Sequence, residues 1–384
     1  MHLSLRLLVG AASWLCLAAG VHAAVAIDPY YAGSYSLLDL GSAPGVPLNY
    51  GGLSVDPGDT DTLLLGGAAN KPEARIYRVP LGRDGSGRIV GFDGGATAFA
   101  NANGVTGGID GGLMYGPGGV LFYTSFADNH IGQIKPASAG PDKLVDLGGL
   151  GVADSVGALA FVPEGMPGAG RLKIASTTTS RWYDATVTAD ASGTCDIDVN
   201  SGIAITIGGA PQGILYVPLG SALFPDPSIL VAEFGLGRIS SYAVDGNGDP
   251  VLSTRRTFIS GLTNPEGATI DPITGDFLFS TFGGESRIVH VSAVPEPGTW
   301  VLLVVGLVML AVAHLRPRRA RNTGREVDRR RVSLLPPDRG EAGMGVDHLG
   351  AHASHSHPGP PPWKGEGMSL TARACAPRPA ARAA

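Results

Sequence analysis

Residues 264–291 read NPEGATIDPITGDFLFSTFGGESRIVHV. A glycine-led apolar alternation closes on Pro272, a second apolar run starts at Asp276, and a Gly-Gly turn leads to a third, SRIVHV. In that third run Val289 and Val291 share one face while Ile288 and His290 share the other, the period of 2 that a β-strand requires. The stretch therefore reads as three short strands joined by turns.

The unit recurs. GLSVDP ending at Pro57, GLMYGP at Pro117, ALAFVP at Pro163 and GILYVP at Pro218 repeat the opening of GATIDP at Pro272, with spacings of about 60, 46, 55 and 54 residues. Second strands follow as TLLLGG from Thr62, VLFYTSF from Val120, RLKIAST from Arg171, SILVAEF from Ser228 and DFLFSTF from Asp276. Three end alike, on Ser125-Phe126, Glu233-Phe234 and Thr281-Phe282. With 58 glycines, 29 prolines and little helical periodicity, the region is all-β. A repeat of about 50 residues with three or four strands predicts a β-propeller of five or six blades. Five units are visible, the long first interval leaves room for a sixth, and a pair of β-sandwiches is the competing arrangement. SYSLLDLG, residues 34–41, has no unit of its own and is placed to close the ring by joining the last blade.

GLSVDP and PEGATIDPITGDFLFST also resemble the blade openings of NHL and gluconolactonase-type propellers. That resemblance implies that the ends of the innermost strands line a central channel. Aligning the repeats on their prolines places Asn49, Tyr50, Asp110, Asp154, Ser155, Gln212, Asn264 and Glu266 near one mouth. Asp110, Gln212, Asn264 and Glu266 are the candidate ligand set. In lactonases of this shape such oxygens would hold calcium or zinc, but Gly51, Gly111 and Gly157 stand at the matching position in other repeats, so no metal or other cofactor is assigned. Enzyme motifs are missing: there is no G-x-S-x-G elbow, P-loop or H-E-x-x-H, and between the two ends only His130 and His290 occur. No catalytic residue is named. DGNGD at 245–249 lacks the glutamate an EF-hand needs, and DPGDTD at 56–61 reads as a blade turn.

Both ends carry export signals. Residues 1–23 combine Arg6, an apolar core from Leu7 to about Ala19, and small residues before a cut after Ala23 or Ala26, as a signal peptide does. At the other end Val294, Pro295, Glu296 and Pro297 precede an uncharged apolar run and Arg316, Arg318, Arg319 and Arg321. The prolines enforce an extended handle, the run of about 18 residues is near the lower limit for a transmembrane helix, and the arginines should stay cytoplasmic. This order resembles the PEP-CTERM sorting signal of Gram-negative bacteria. The resemblance implies processing by an exosortase after passage through the inner membrane, and delivery to the cell surface or an extracellular exopolysaccharide matrix.

The division is then a signal peptide (1–23), a propeller ectodomain (24–293), a sorting signal with its transmembrane helix (294–321) and a basic tail (322–384). The tail, with His348, His352, His355 and His357, has no apolar periodicity and reads as disordered and foreign to the rest. The net charge of -5 hides an acidic body, because 13 of the 28 basic residues and only 6 of the 33 acidic ones lie from Arg316 onward. A body lacking a basic patch is not expected to bind nucleic acid. Cys16 leaves with the signal and Cys375 lies in the tail, so the exported body keeps only Cys195 and no internal disulfide framework. The expectation is an exported propeller acting as a binding or structural module; the alternative is an extracytoplasmic metal-dependent lactonase or hydrolase on the same ring.

Overall fold

The alternation read in residues 277–291 divides those side chains between two cores. Phe277, Phe279, Val289 and Val291 enter one apolar cluster, and Leu278 and Ile288 enter another on the opposite face of the same sheet. A sheet that is apolar on both faces needs a neighbour on each side, and the economical arrangement is a ring. The computed structural model describes residues 24–294 and 299–315, and the first of these segments is a five-bladed β-propeller.

Two strands precede the first blade, β1 (Ala26–Ile27) and β2 (Tyr35–Gly41). Blade 1 runs outward from β3 (Leu53–Asp56) through β4 (Asp59–Gly67) to β5 (Arg75–Arg83), whose outer edge is shared by β6 (Ile89–Phe92) and β7 (Thr97–Asn101). Blade 2 is β8 (Ile109–Tyr115), β9 (Leu121–Ser125), β10 (His130–Ile134) and β11 (Lys143–Asp146). Blade 3 is β12 (Val156–Phe161), β13 (Leu172–Ser176), β14 (Arg181–Ala189) and β15 (Cys195–Thr206). Blade 4 is β16 (Pro211–Tyr216), β17 (Ser228–Glu233), β18 (Arg238–Ala243) and β19 (Arg256–Ser260), with β1 added outside. Blade 5 is β20 (Pro265–Ile270), β21 (Phe277–Thr281) and β22 (Ile288–Ala293), completed by β2.

Every pairing is antiparallel, and Tyr35 to Gly41 pairs with Ala293 to Ile288, so residues 34–41 close the ring as expected. The closure continues to Val294, whose N–H donates to the Ser34 carbonyl at 2.8 Å. Five apolar clusters fill the five interfaces between adjacent blades, which rules out both the sixth blade and the pair of sandwiches. The long first interval is spent on β6 and β7, which divide one edge between them. At the closing seam Tyr31, Tyr35, Phe224, Phe258 and Phe277 form an aromatic knot with centroids 4.9–6.3 Å apart. Each such ring adds roughly 1.5–3 kcal/mol by burial.

The channel implied by the resemblance is corrected. The inner strand β8 touches β16 and β20 across the ring as well as its neighbours β3 and β12. Glycine makes this approach feasible: a Cβ on Gly111 would overlap the Gln212 carbonyl, and one on Gly213 would lie 2.5 Å from the Glu266 carbonyl oxygen. The axis is therefore packed backbone against backbone.

A separate unit contains α1 (Thr299–Leu315), a helix of 17 residues with exposed apolar side chains from Leu302 to Leu310. At ~1.5 Å per residue the described turns rise about 25 Å, and among the described residues no helix is long and apolar enough to cross a membrane. The signal peptide (1–23), Pro295, Glu296, Pro297, Arg316, Arg318, Arg319, Arg321 and the tail from 322 lie outside the described residues.

Candidate functional site

Inner strands begin at the axis, so a polar residue at their start is forced into the centre of the ring. Three of the four candidates meet there. Asp110 on β8 and Glu266 on β20 are 0% exposed and face each other, with Gln212 on β16 buried beside them. The Thr177 hydroxyl lies 3.2 Å from Gln212 Oε1 and 3.0 Å from the Pro211 carbonyl, linking blade 3 to blade 4. A fourth member, Asn70, was not legible in the proline alignment because it comes from the loop between β4 and β5. Its Nδ2 donates to Asp110 Oδ1 at 2.8 Å.

Asn264 does something else. It sits half-buried just before β20 with φ of 44°, and its carbonyl accepts the Phe282 N–H at 2.9 Å. Asn49 and Ala210 take the same left-handed backbone before β3 and β16, and asparagine tolerates that conformation at low cost. Asn264 is thus a turn residue. Tyr50 is also structural, its hydroxyl accepting the Ala43 N–H at 2.9 Å, and Asp154 is exposed.

The axis cluster is unusual in what it leaves unpaired. Among the described residues the buried side-chain polar atoms without a hydrogen-bond partner are Asn70 Oδ1, Asp110 Oδ2, both Glu266 carboxyl oxygens and Ser240 Oγ. Four of these five belong to the axis. Burial pushes the Asp110 carboxyl up to about 6, against the opposing pull of the nearby polar groups of Glu266, Asn70, Gly111 and Gln212. Burial, and then the adjacent Asp110 charge, push Glu266 well above the usual carboxylate range. Two carboxyls facing each other in one dry site resist double ionisation, so the pair favours keeping a proton.

This set does not fit a catalytic metal. Zinc prefers nitrogen and sulfur donors, whereas the cluster offers only oxygens. Calcium takes six to eight oxygens, and among the described residues no group of three or more His, Cys, Asp or Glu gathers to hold an ion. The two histidines are committed elsewhere: His290 Nε2 lies 3.1 Å from Asp276 Oδ2 in a buried pair, and His130 Nδ1 contacts the Asp128 carbonyl. The calcium-like loops are turns, in which Asp245 Oδ1 accepts the N–H groups of Asn247 and Asp249, and Asp56 Oδ1 accepts that of Gly58.

No protein-family model matches this chain, and no curated protein matches it. Among solved structures it is similar to a streptogramin B lyase at 14% identity, covering 68% of this chain and 99% of that one, with a TM-score of 0.35. A glucose dehydrogenase aligns at 11% identity over 67% of this chain and 100% of that one, with a TM-score of 0.40. The PQQ-bound aldose sugar dehydrogenase of Streptomyces coelicolor aligns at 12% identity over 68% and 98%, with a TM-score of 0.35. The activities in those names belong to those proteins.

Proposed function

We propose that this chain is an exported propeller, released at the cell surface or into an extracellular matrix by an exosortase acting at Val294–Pro295–Glu296–Pro297, where it serves as a binding module. The observation that carries this reading is the coincidence of boundaries. Among the described residues the ring's first strand begins at Ala26 and its last bond is made by Val294, so a signal cut after Ala23 and a cut beyond Val294 would each leave all five blades whole. A cut after Ala26 would instead remove half of β1, which pairs Ala26 with Ser260 and Ile27 with Ile259. A binding role is preferred to hydrolysis because both described histidines of the ring, His130 and His290, are tied into structural contacts. A matrix exopolysaccharide and the inner membrane, met in transit, are the proposed surroundings.

The test replaces Pro295 and Pro297 by alanine in a host that carries an exosortase. The unaltered protein should appear at the surface, shortened at its C-terminus, while the variant stays full-length in the membrane fraction. Identical fates for both would overturn the sorting role.

A further inference from the structure

Because the blades repeat, a group satisfied in one blade can be compared with its counterpart in another. Asp56 and Asp271 hold the same place in blades 1 and 5, just before the proline that closes the inner strand. Asp271 is fully buried, and both of its oxygens accept from the Arg83 guanidinium, at 2.7 and 2.9 Å. Asp56 makes only the turn bond, its Oδ1 accepting the Gly58 N–H at 2.9 Å, while its Oδ2 lies 3.7 Å from Arg78 Nη2, too far for a hydrogen bond. The Arg78 guanidinium stands over the Phe99 ring, 4.3 Å from its centroid, and among the described residues it donates no hydrogen bond. Tyr115 and Tyr216 differ in the same way. Tyr216, two residues before Pro218, donates its hydroxyl to the Gly248 carbonyl at 2.7 Å. Tyr115, two residues before Pro117, is half-buried, and its hydroxyl has no partner among the described residues.

These open groups border one cavity. It has a volume of about 310 Å³ and lies between blades 1 and 2, with Asp56, Arg78, Phe99 and Tyr115 in its wall and the buried Leu121 and Ile134 adding apolar lining. The turns after β3, β8 and β10 surround it, so it opens at the opposite end of the inner strands from the axis carboxyls.

We propose that this cavity binds a neutral pyranose, its ring seated against Phe99 and Tyr115 and two adjacent hydroxyls shared between Arg78 and Asp56. The proposal rests on the binding-module reading and names the ligand class for it. A pyranose carries C–H groups on its faces, which suit an aromatic wall, and hydroxyls around its edge. Each hydroxyl both donates and accepts. One of a vicinal pair can therefore accept from the guanidinium while the other donates to Asp56 Oδ2, filling the 3.7 Å gap that the two side chains leave open. Burial, and then the Asp56 charge, push the Tyr115 hydroxyl up to about 12, so it stays protonated and supplies a further donor. The charges balance: Arg78 faces Asp56, and Lys135, the other cation of the cavity wall, lies 3.3 Å from Asp142. An ion gains nothing there over an uncharged ring. The volume is at the small end of the ~300–1,000 Å³ range of ligand pockets, which suits a single ring.

Ligand-observed NMR titration of the full chain tests this with methyl β-glucopyranoside and methyl α-mannopyranoside, and with cyclohexanol as a ring that lacks the diol. Saturable binding of at least one glycoside is expected, with Kd on the order of 1 mM and cyclohexanol about fivefold weaker or worse. Arg78→Ala, at a half-exposed position, should weaken binding by about tenfold, and Tyr115→Phe, which removes only the hydroxyl, by about threefold. No saturable binding of either glycoside by the folded wild type, cyclohexanol bound as tightly, or unchanged binding in both variants would overturn the site. Methyl β-glucuronide bound more tightly than the glucoside would overturn the neutral ligand class. Methyl β-cellobioside then separates the sources, since retained binding admits a polysaccharide and lost binding confines the cavity to a free sugar. If the glycosides fail while the exported protein still retains polysaccharide, this cavity falls and the binding-module reading stands.

Discussion

Two regions of the ring bury carboxyl groups equally well and treat them in opposite ways. Between blades 3 and 4 the fully buried Lys173 ammonium donates to Asp184 Oδ1 at 2.9 Å and to Asp249 Oδ1 at 2.6 Å, and Trp182 Nε1 donates to Asp249 at 2.8 Å. Glu233 is served in the same manner by Arg238, Arg255 and the Tyr242 hydroxyl. At the axis, Asp110 and Glu266 have no cation, and three of their four oxygens have no partner. The sequence thus contains the means to compensate a buried carboxylate and does not use them at the centre. Among the described residues the axis is where two buried carboxyls lie together without a cation, a local rule broken at a site the fold otherwise packs closely.

The largest expected effect comes from damaging the compensated region. Asp249→Ala leaves the Lys173 ammonium with a single carboxylate and the indole N–H without its acceptor, and should cost about 3–5 kcal/mol. Urea denaturation at pH 7 measures it. A loss below about 1 kcal/mol would erase the contrast between the two regions, because the compensation would then contribute little.

The axis should respond in the reverse direction. A carboxyl whose folded-state pKa is raised stabilises fully below its unfolded value and loses that contribution as pH rises through the folded value. For Asp110 the window runs from about 4 to beyond 6, and Glu266 extends it upward. Stability should therefore fall with rising pH, by on the order of 2–3 kcal/mol from Asp110 alone, and Glu266→Gln, which cannot ionise, should remove the part of the fall that lies above the Asp110 window. Urea midpoints of both proteins from pH 4 to 8 decide the matter, and parallel curves would refute the shared proton.

Glu233 supplies the opposite sign within the same molecule. Burial raises its carboxyl, but Arg255 and Arg238 outweigh burial and hold it below the usual range, so its contribution is present at neutral pH and lost as pH falls through that lowered value. Arg255→Ala should cost about 1.5 kcal/mol at pH 7 and less at pH 3, read from the same denaturation series.

How far these regions were legible depends on which interactions are local. The proline-closed alternation fixed the strands, and residues 34–41, lacking a unit, identified the closing strand, because period-2 patterning and strand count are properties of short segments. Asp110, Gln212 and Glu266 could be brought together because they share a place in the repeat. Asn70 could not, since its loop has no counterpart in that alignment, and Asn264 was misread because a left-handed turn and a ligand both favour asparagine. Lys173, Asp184 and Asp249 come from two blades and carry no motif at all. The closed axis was also out of reach: glycine at the inner-strand position reads equally well as a turn or as an empty channel wall, and only the approach of five backbones distinguishes them.

The smallest expected effect sharpens the comparison most. Thr177→Val removes the hydroxyl that faces the Pro211 carbonyl and Gln212 Oε1 while keeping nearly the same volume, so the stability loss should be about 1 kcal/mol. Gln212 is nonetheless one of the groups that stabilise the ionised form of Asp110, and Thr177 is what fixes its amide. Freed from that contact, Gln212 should hold the Asp110 carboxylate less firmly and move the pH-dependent loss of stability upward. A midpoint shift with an unchanged pH profile would show that the hydroxyl merely joins two blades. A profile displaced toward higher pH, at nearly constant stability below pH 4, would show that blade 3 sets the proton affinity of a pair built from blades 2 and 5.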